Sequence, residues 1–221
     1  MACPRALQFL VVCLLDFPGT WGAASSVVWR GISPGPLPNT DTAPHLTIAG
    51  LRLCSAVAGS VRAVELFLDP GAKAERSVQP AESVGAPIWL QVWRPGLRRR
   101  DHTPNPAQPP WRLVAQVSRT IKPQDLGGLL QIDLADQALP VAVGDCFGWY
   151  TGAWNGLVPF ESIDSSTMGL EAGLEGVVWA FGHRLAHLGG SEVSLGMGWA
   201  ARRYALRILF GPLLDASPAL N

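Results

Sequence analysis

The clearest pattern in the chain lies between residues 88 and 93, where Ile88, Leu90 and Val92 alternate with Trp89, Gln91 and Trp93. A two-residue period puts the first three on one side of a pleated strand and the other three on the opposite side. Further short apolar runs occupy residues 46–53, 60–68, 111–117, 129–134, 146–150, 177–181 and 204–210. Gly, Pro, Asn and Asp separate them, which is the punctuation of strands and turns. Asp69-Pro-Gly, Leu126-Gly-Gly and Val143-Gly-Asp each supply a residue that tolerates positive φ or presets φ where the chain reverses.

Eight such runs predict an all-β fold, a two-sheet antiparallel sandwich. Their non-local spacing and two long loops favour a jelly-roll-like Greek key. The alternative is an immunoglobulin-like sandwich, whose order of Cys, Trp and Cys is loosely met by Cys54, Trp89 or Trp93, and Cys146. Helical spacing recurs in one region, through Leu170, Leu174, Val177, Val178, Phe181, Leu185 and Leu188. Gly169, Gly173, Gly176 and Gly182 oppose a helix there, at about 0.8 to 1 kcal/mol each relative to Ala.

The first residues follow a different order. A short basic start ending at Arg5 precedes an apolar run over residues 6–15, and Pro18 and Gly19 break it. That order predicts a secretory signal peptide, residues 1–24, because the run is far shorter than the roughly 20 residues a spanning helix needs. Residues 25–45 then read as an extended, Pro-rich arm, residues 46–215 as one sandwich domain and 216–221 as a tail. The expected location is secreted and extracellular, with no membrane insertion of the mature chain.

Composition supports one domain, since about 197 mature residues suit a single sandwich and 48% of the chain is hydrophobic. Removing Arg5 and Asp16 with the leader takes 17 basic and 17 acidic residues down to 16 of each. With that balance no overall field draws the chain to nucleic acid or an anionic membrane. Cys3 and Cys13 leave with the leader as well, so Cys54 and Cys146 are the thiols an oxidising compartment receives, and they are expected to pair. Two buried free thiols are the alternative.

Candidate chemistry is sparse. His183 and His187 stand four apart, but no Glu lies between them to act as a general base, and on a strand they are about 13 Å apart. No Gly-x-Ser-x-Gly elbow occurs, and the carboxylate pairs Glu171 with Glu175 and Asp133 with Asp136 read as solvated loop acids. The chain is therefore expected not to be an enzyme, and to need no metal and no cofactor.

Two clusters suit binding instead. Arg94, Arg98, Arg99, Arg100, His102 and Arg112 crowd a Pro-rich stretch with Asp101 as its only acid, a composition that attracts sulfated glycans or other acidic partners. Arg98-Arg99-Arg100 also resembles a dibasic processing site. The second cluster holds Tyr150, Trp154 and Asn155, in which an aromatic platform and an amide could receive a sugar, with Trp149 read as core. The expected function is a secreted extracellular binding module that meets a carbohydrate or protein ligand through its loops. The alternative is a structural or assembly domain of the extracellular matrix or cell surface with no small ligand.

Overall fold

The apolar runs become strands, and their alternation decides which side faces the core. The computed structural model describes residues 27–41, 45–70, 84–96, 110–152, 157–163, 176–181 and 198–211. Residues 1–24, expected to be a signal peptide, and 216–221, expected to be a tail, lie outside the described residues. Among the described residues the strands are β1 (Val28–Gly31), β2 (Leu46–Cys54), β3 (Gly59–Phe67), β4 (Pro87–Pro95), β5 (Trp111–Thr120), β6 (Leu129–Asp133) and β7 (Leu139–Val141). They continue with β8 (Cys146–Thr151), β9 (Phe160–Ser162), β10 (Val177–Phe181), β11 (Gly198–Ala200), β12 (Arg202–Tyr204) and β13 (Leu206–Gly211). Two single 3-10 turns follow β5 and β6, and there is no α-helix among these residues.

All strand pairs are antiparallel. One sheet runs β1-β13-β3-β6, with β7 also on β3, and the other runs β11-β10-β2-β8-β4-β5. A third, two-stranded ribbon joins β12 to β9. The two larger sheets make the all-β sandwich. Its pairings are largely non-local: β2 lies between β8 and β10, and β13 lies between β1 and β3.

Ile88, Leu90 and Val92 of β4 are all fully buried, as are Val64 and Leu66 of β3, and Leu206 and Ile208 of β13 are 2% exposed. These side chains belong to one continuous core between the sheets. Each contributes about 1.5 to 3 kcal/mol by leaving water. Alternation along β4 does not separate buried from exposed, however, because Gln91 and Trp93 on its other side are each 1% exposed. Trp93, Trp111, Leu113, Ala49 and Cys146 form a second apolar cluster. Gln91 is tolerated there because both ends of its amide are satisfied, Nε2 donating to Gln116 Oε1 and Oε1 accepting from Trp93 Nε1, each at 3.2 Å. Buried amides are tolerated when hydrogen-bonded in this way.

Cys54 and Cys146 are bonded to each other as a disulfide that spans 92 positions of sequence. They are direct partners on neighbouring strands β2 and β8. The bridge therefore ties one sheet internally, whereas the hallmark immunoglobulin bridge links two sheets across the core.

The apolar run over residues 204–210 divides in two. Tyr204 ends β12 and pairs with Phe160 of β9, whereas Leu206 opens β13 and pairs with Leu66 of β3. Ala205 makes the switch, its N–H donating to Pro159 O at 2.9 Å and its carbonyl accepting from Phe67 N–H at 3.0 Å.

Within the range read as an arm, β1 is a strand of the five-stranded sheet, paired with β13. Farther on, Asn39 exchanges backbone hydrogen bonds with Phe160 at 3.1 and 2.8 Å. Proline kept the hydrophobic signal of this segment weak, and its order comes from these long-range partners.

Candidate binding surfaces

The ends of β4 and β5 nearest their connection carry two arginines. Arg94 and Arg112 are cross-strand partners there. Arg94 donates from Nε and Nη2 to the two carboxylate oxygens of Asp145, at 2.7 and 2.8 Å. The Asp145 side chain is 1% exposed and that of Arg94 is 42% exposed. A planar guanidinium held by two parallel bonds keeps its orientation. The hydrogen bond to Asp145 is the main reason the Arg94 pKa is raised further, with burial acting in the opposite direction.

Asp145 is itself fixed by the turn it occupies. Its Oδ2 accepts from Ala142 N–H at 2.9 Å, and its backbone carbonyl accepts from Ser55 N–H at 2.8 Å. Gly144 precedes it at φ +84°, a conformation that glycine adopts without steric cost. Beside this turn, Arg94 and Arg112 flank a cleft of about 520 Å³ whose wall includes Gly59, Pro140 and Val141. Arg98, Arg99, Arg100 and His102 lie outside the described residues.

Tyr150 sits on β8 and is 5% exposed, with its hydroxyl 3.0 Å from His45 Nδ1. Burial raises its pKa. Trp149 is 2% exposed and belongs to the core, as the sequence implied. Trp154 and Asn155 lie outside the described residues, as do His183, His187, Glu171 and Glu175. Asp133, by contrast, accepts the N–H of Ala135 at 2.9 Å, where a 3-10 turn begins. Among the described residues no group of three or more His, Cys, Asp or Glu is placed to hold a metal ion.

A polar triad has no counterpart in the sequence reading. Asp41 accepts from Arg202 Nη1 at 2.6 Å and from the Tyr204 hydroxyl at 2.7 Å. Arg202 lies 4.2 Å over the Phe160 ring, and Tyr204 meets Trp149 edge-on at 4.9 Å. Burial, reinforced by the Asp41 charge, pushes the Tyr204 pKa well up. Burial acts to lower the Arg202 pKa, but the bonds to Tyr204 and Asp41 outweigh it and the net shift is upward. The partners are 161 and 163 positions apart, so no local motif could announce them.

No family model, curated protein or solved structure matches the chain.

Proposed function

We propose that this chain is a secreted, non-enzymatic binding module that recognises an acidic extracellular carbohydrate through the end of the sandwich built by β4 and β5. The observation that carries the reading is the pairing of Arg94 with Arg112 beside a 520 Å³ cleft. The connection between those strands holds Arg98, Arg99, Arg100 and His102. Clustered cations of this kind raise the local concentration of a polyanion and speed its capture, although the chain carries no net charge. The disulfide suits an oxidising compartment, and among the described residues no helix is long and apolar enough to cross a membrane.

Retention of the purified mature protein on immobilised heparin tests the proposal. The wild type should bind at low salt and elute as salt rises, because screening weakens such contacts. Arg112→Glu should elute earlier, and replacing Arg98, Arg99 and Arg100 together by Ala should remove most retention. A wild type that flows through at low salt overturns the reading. Trp154 and Asn155 remain proposed ligand contacts in the segment that follows β8 in sequence, and Trp154→Ala should weaken glycan binding without unfolding the chain.

One observation favours the assembly reading. β1 ends the order of its sheet and exposes Val28 at 45% and Trp29 at 37%, next to Val27 at 45%. An apolar end strand is a template for pairing with another chain. A concentration-dependent dimer in sedimentation, lost in Trp29→Lys, would support that reading.

A further inference from the structure

We infer that the edge of the sandwich between β5 and β6 holds a second carbohydrate site, one for a hexuronate, with Arg119 taking the sugar's carboxylate and Asp133, Gln131 and Gln137 its hydroxyl groups. The inference rests on the carbohydrate reading and adds to it a sugar class and a place. Among the described residues β5 ends the six-stranded sheet and β6 ends the order of the other. A cleft of about 330 Å³ lies between them, within the roughly 300 to 1,000 Å³ of small-molecule sites. It is distinct from the cleft at Arg112. Arg119 pairs with Ile88 and Arg112 with Arg94, six positions farther along β4, which is about 20 Å at roughly 3.3 Å per residue.

Register places Arg119 at this opening. Its partner Ile88 and the partner of Val117, Leu90, are fully buried in the core between the sheets. Cross-strand partners stand on the same side of a sheet, so Arg119 leaves β5 on the face turned toward the other sheet, where it is half-buried. A charge partly removed from water is costly without a partner. Among the described residues neither Arg119 nor Asp133 enters an ion pair, although both line this cleft. Asp133 Oδ1 accepts the N–H of Ala135 at 2.9 Å, which leaves Oδ2 for a guest.

These groups select among sugars. The guanidinium fork matches a planar carboxylate, so an uncharged sugar leaves Arg119 without its anion. An ionised Asp133 accepts hydrogens from hydroxyl groups and repels a sulfate placed where they would be. The amides of Gln131 and Gln137, both exposed at the rim, can donate to ring oxygens or accept from hydroxyls. Leu90, Val117 and Ile132 form an apolar floor that suits the C–H face of a pyranose ring. A carboxylated ring with free hydroxyls satisfies every part of this arrangement. An inward-pointing charge on an end strand also discourages pairing with another chain. Arg119→Lys separates the two roles, because an ammonium keeps the charge and loses the fork.

Titration of the protein with methyl glucuronide and methyl glucoside, followed by backbone amide NMR shifts, tests the site. The glucuronide should shift the Val117, Arg119 and Ile132 amides and should bind about tenfold more tightly than the glucoside, a margin on the scale of one charge-assisted hydrogen bond. Arg119→Lys should bring the glucuronide down to the level of the glucoside, and Asp133→Asn should weaken both, with amide spectra unchanged elsewhere showing that the fold is kept. Arg112→Glu should leave the glucuronide shifts as they are. Heparin retention without glucuronide shifts at this edge would overturn this inference and spare the Arg112 surface, whereas glucuronide shifts without heparin retention would support this site and remove that surface. A glucoside that binds as tightly as the glucuronide, or an unchanged affinity in Arg119→Lys, would also overturn the inference.

Discussion

Asp145 grips Arg94 through both of its carboxylate oxygens across 51 positions of sequence, so the turn before β8 is bolted to the end of β4. One carboxylate organises three things at once: the Arg94 fork, the Ala142 N–H and the turn that leads directly into the disulfide at Cys146.

Asp145→Ala should therefore destabilise the protein by about 2 to 3 kcal/mol, since hydrogen bonds to charged groups contribute about 1.5 to 3 kcal/mol each and the exposure of Arg94 discounts the sum. Arg94→Lys should recover little, because an ammonium cannot form the two parallel bonds. Asp136→Ala, at an exposed position, should stay within about 0.5 kcal/mol of wild type. Urea midpoints of the three variants check the ordering, and equal midpoints for Asp145→Ala and Asp136→Ala would remove Asp145 from its organising role.

The bridge between Cys54 and Cys146 should contribute about 4 to 5 kcal/mol in the chain-entropy account, as expected for a closed loop approaching 100 residues. A chain of residues 25–221, denatured without reductant, should show no titratable thiol. Reduction should lower the urea midpoint accordingly.

Gly148 lies between β2 and β4 at the centre of the six-stranded sheet. A Cβ there would fall inside the contact distance of the Ile48 carbonyl oxygen, a backbone atom that cannot swing aside. Gly148→Ala should cost at least about 1 to 3 kcal/mol, the range for overpacking. Gly35→Ala, where a Cβ would meet no atom within 4 Å, should be nearly silent. Thermal midpoints of the pair decide this, and a silent Gly148→Ala would refute the packing at that crossing.

The chain has 2 tyrosines, and burial raises the pKa of both Tyr150 and Tyr204. Unfolded tyrosine ionises near pH 10. Because the folded-state values lie above the unfolded one, the stabilisation from these phenols is complete below about pH 10 and is lost as the pH climbs through the folded-state values. Absorbance at alkaline pH should therefore rise later in the native protein than in the protein in denaturant. Tyr204→Phe should flatten the alkaline fall in thermal midpoint. Coincident titration curves in the two states would contradict the burial.

How much of this was legible beforehand depended on the range of the interactions. Residues 46–53 and 177–181 could be read as strands, and they appear as β2 and β10, because alternation and β-branched residues are local properties of the chain. The glycines of Leu126-Gly-Gly and Val143-Gly-Asp were legible for the same reason, and Gly127 and Gly144 do adopt positive φ. β7, β9, β11 and β12, at 3 residues each, carried no readable period. Such short strands exist because a distant partner supplies their hydrogen bonds.

The candidate sites divide along the same line. Composition alone disclosed a basic cluster around Arg94 and Arg112, because charge density can be counted along a sequence. That Arg94 is held by a buried Asp145 required the fold, as did the meeting of Asp41 with Arg202 and Tyr204. The sequence by itself determined that the chain would form strands and where it would turn, and it placed Cys54 and Cys146 in strand-like runs. The tertiary structure alone decided which strands became neighbours and which charges were paired, because each of those depends on contacts between residues far apart in the chain.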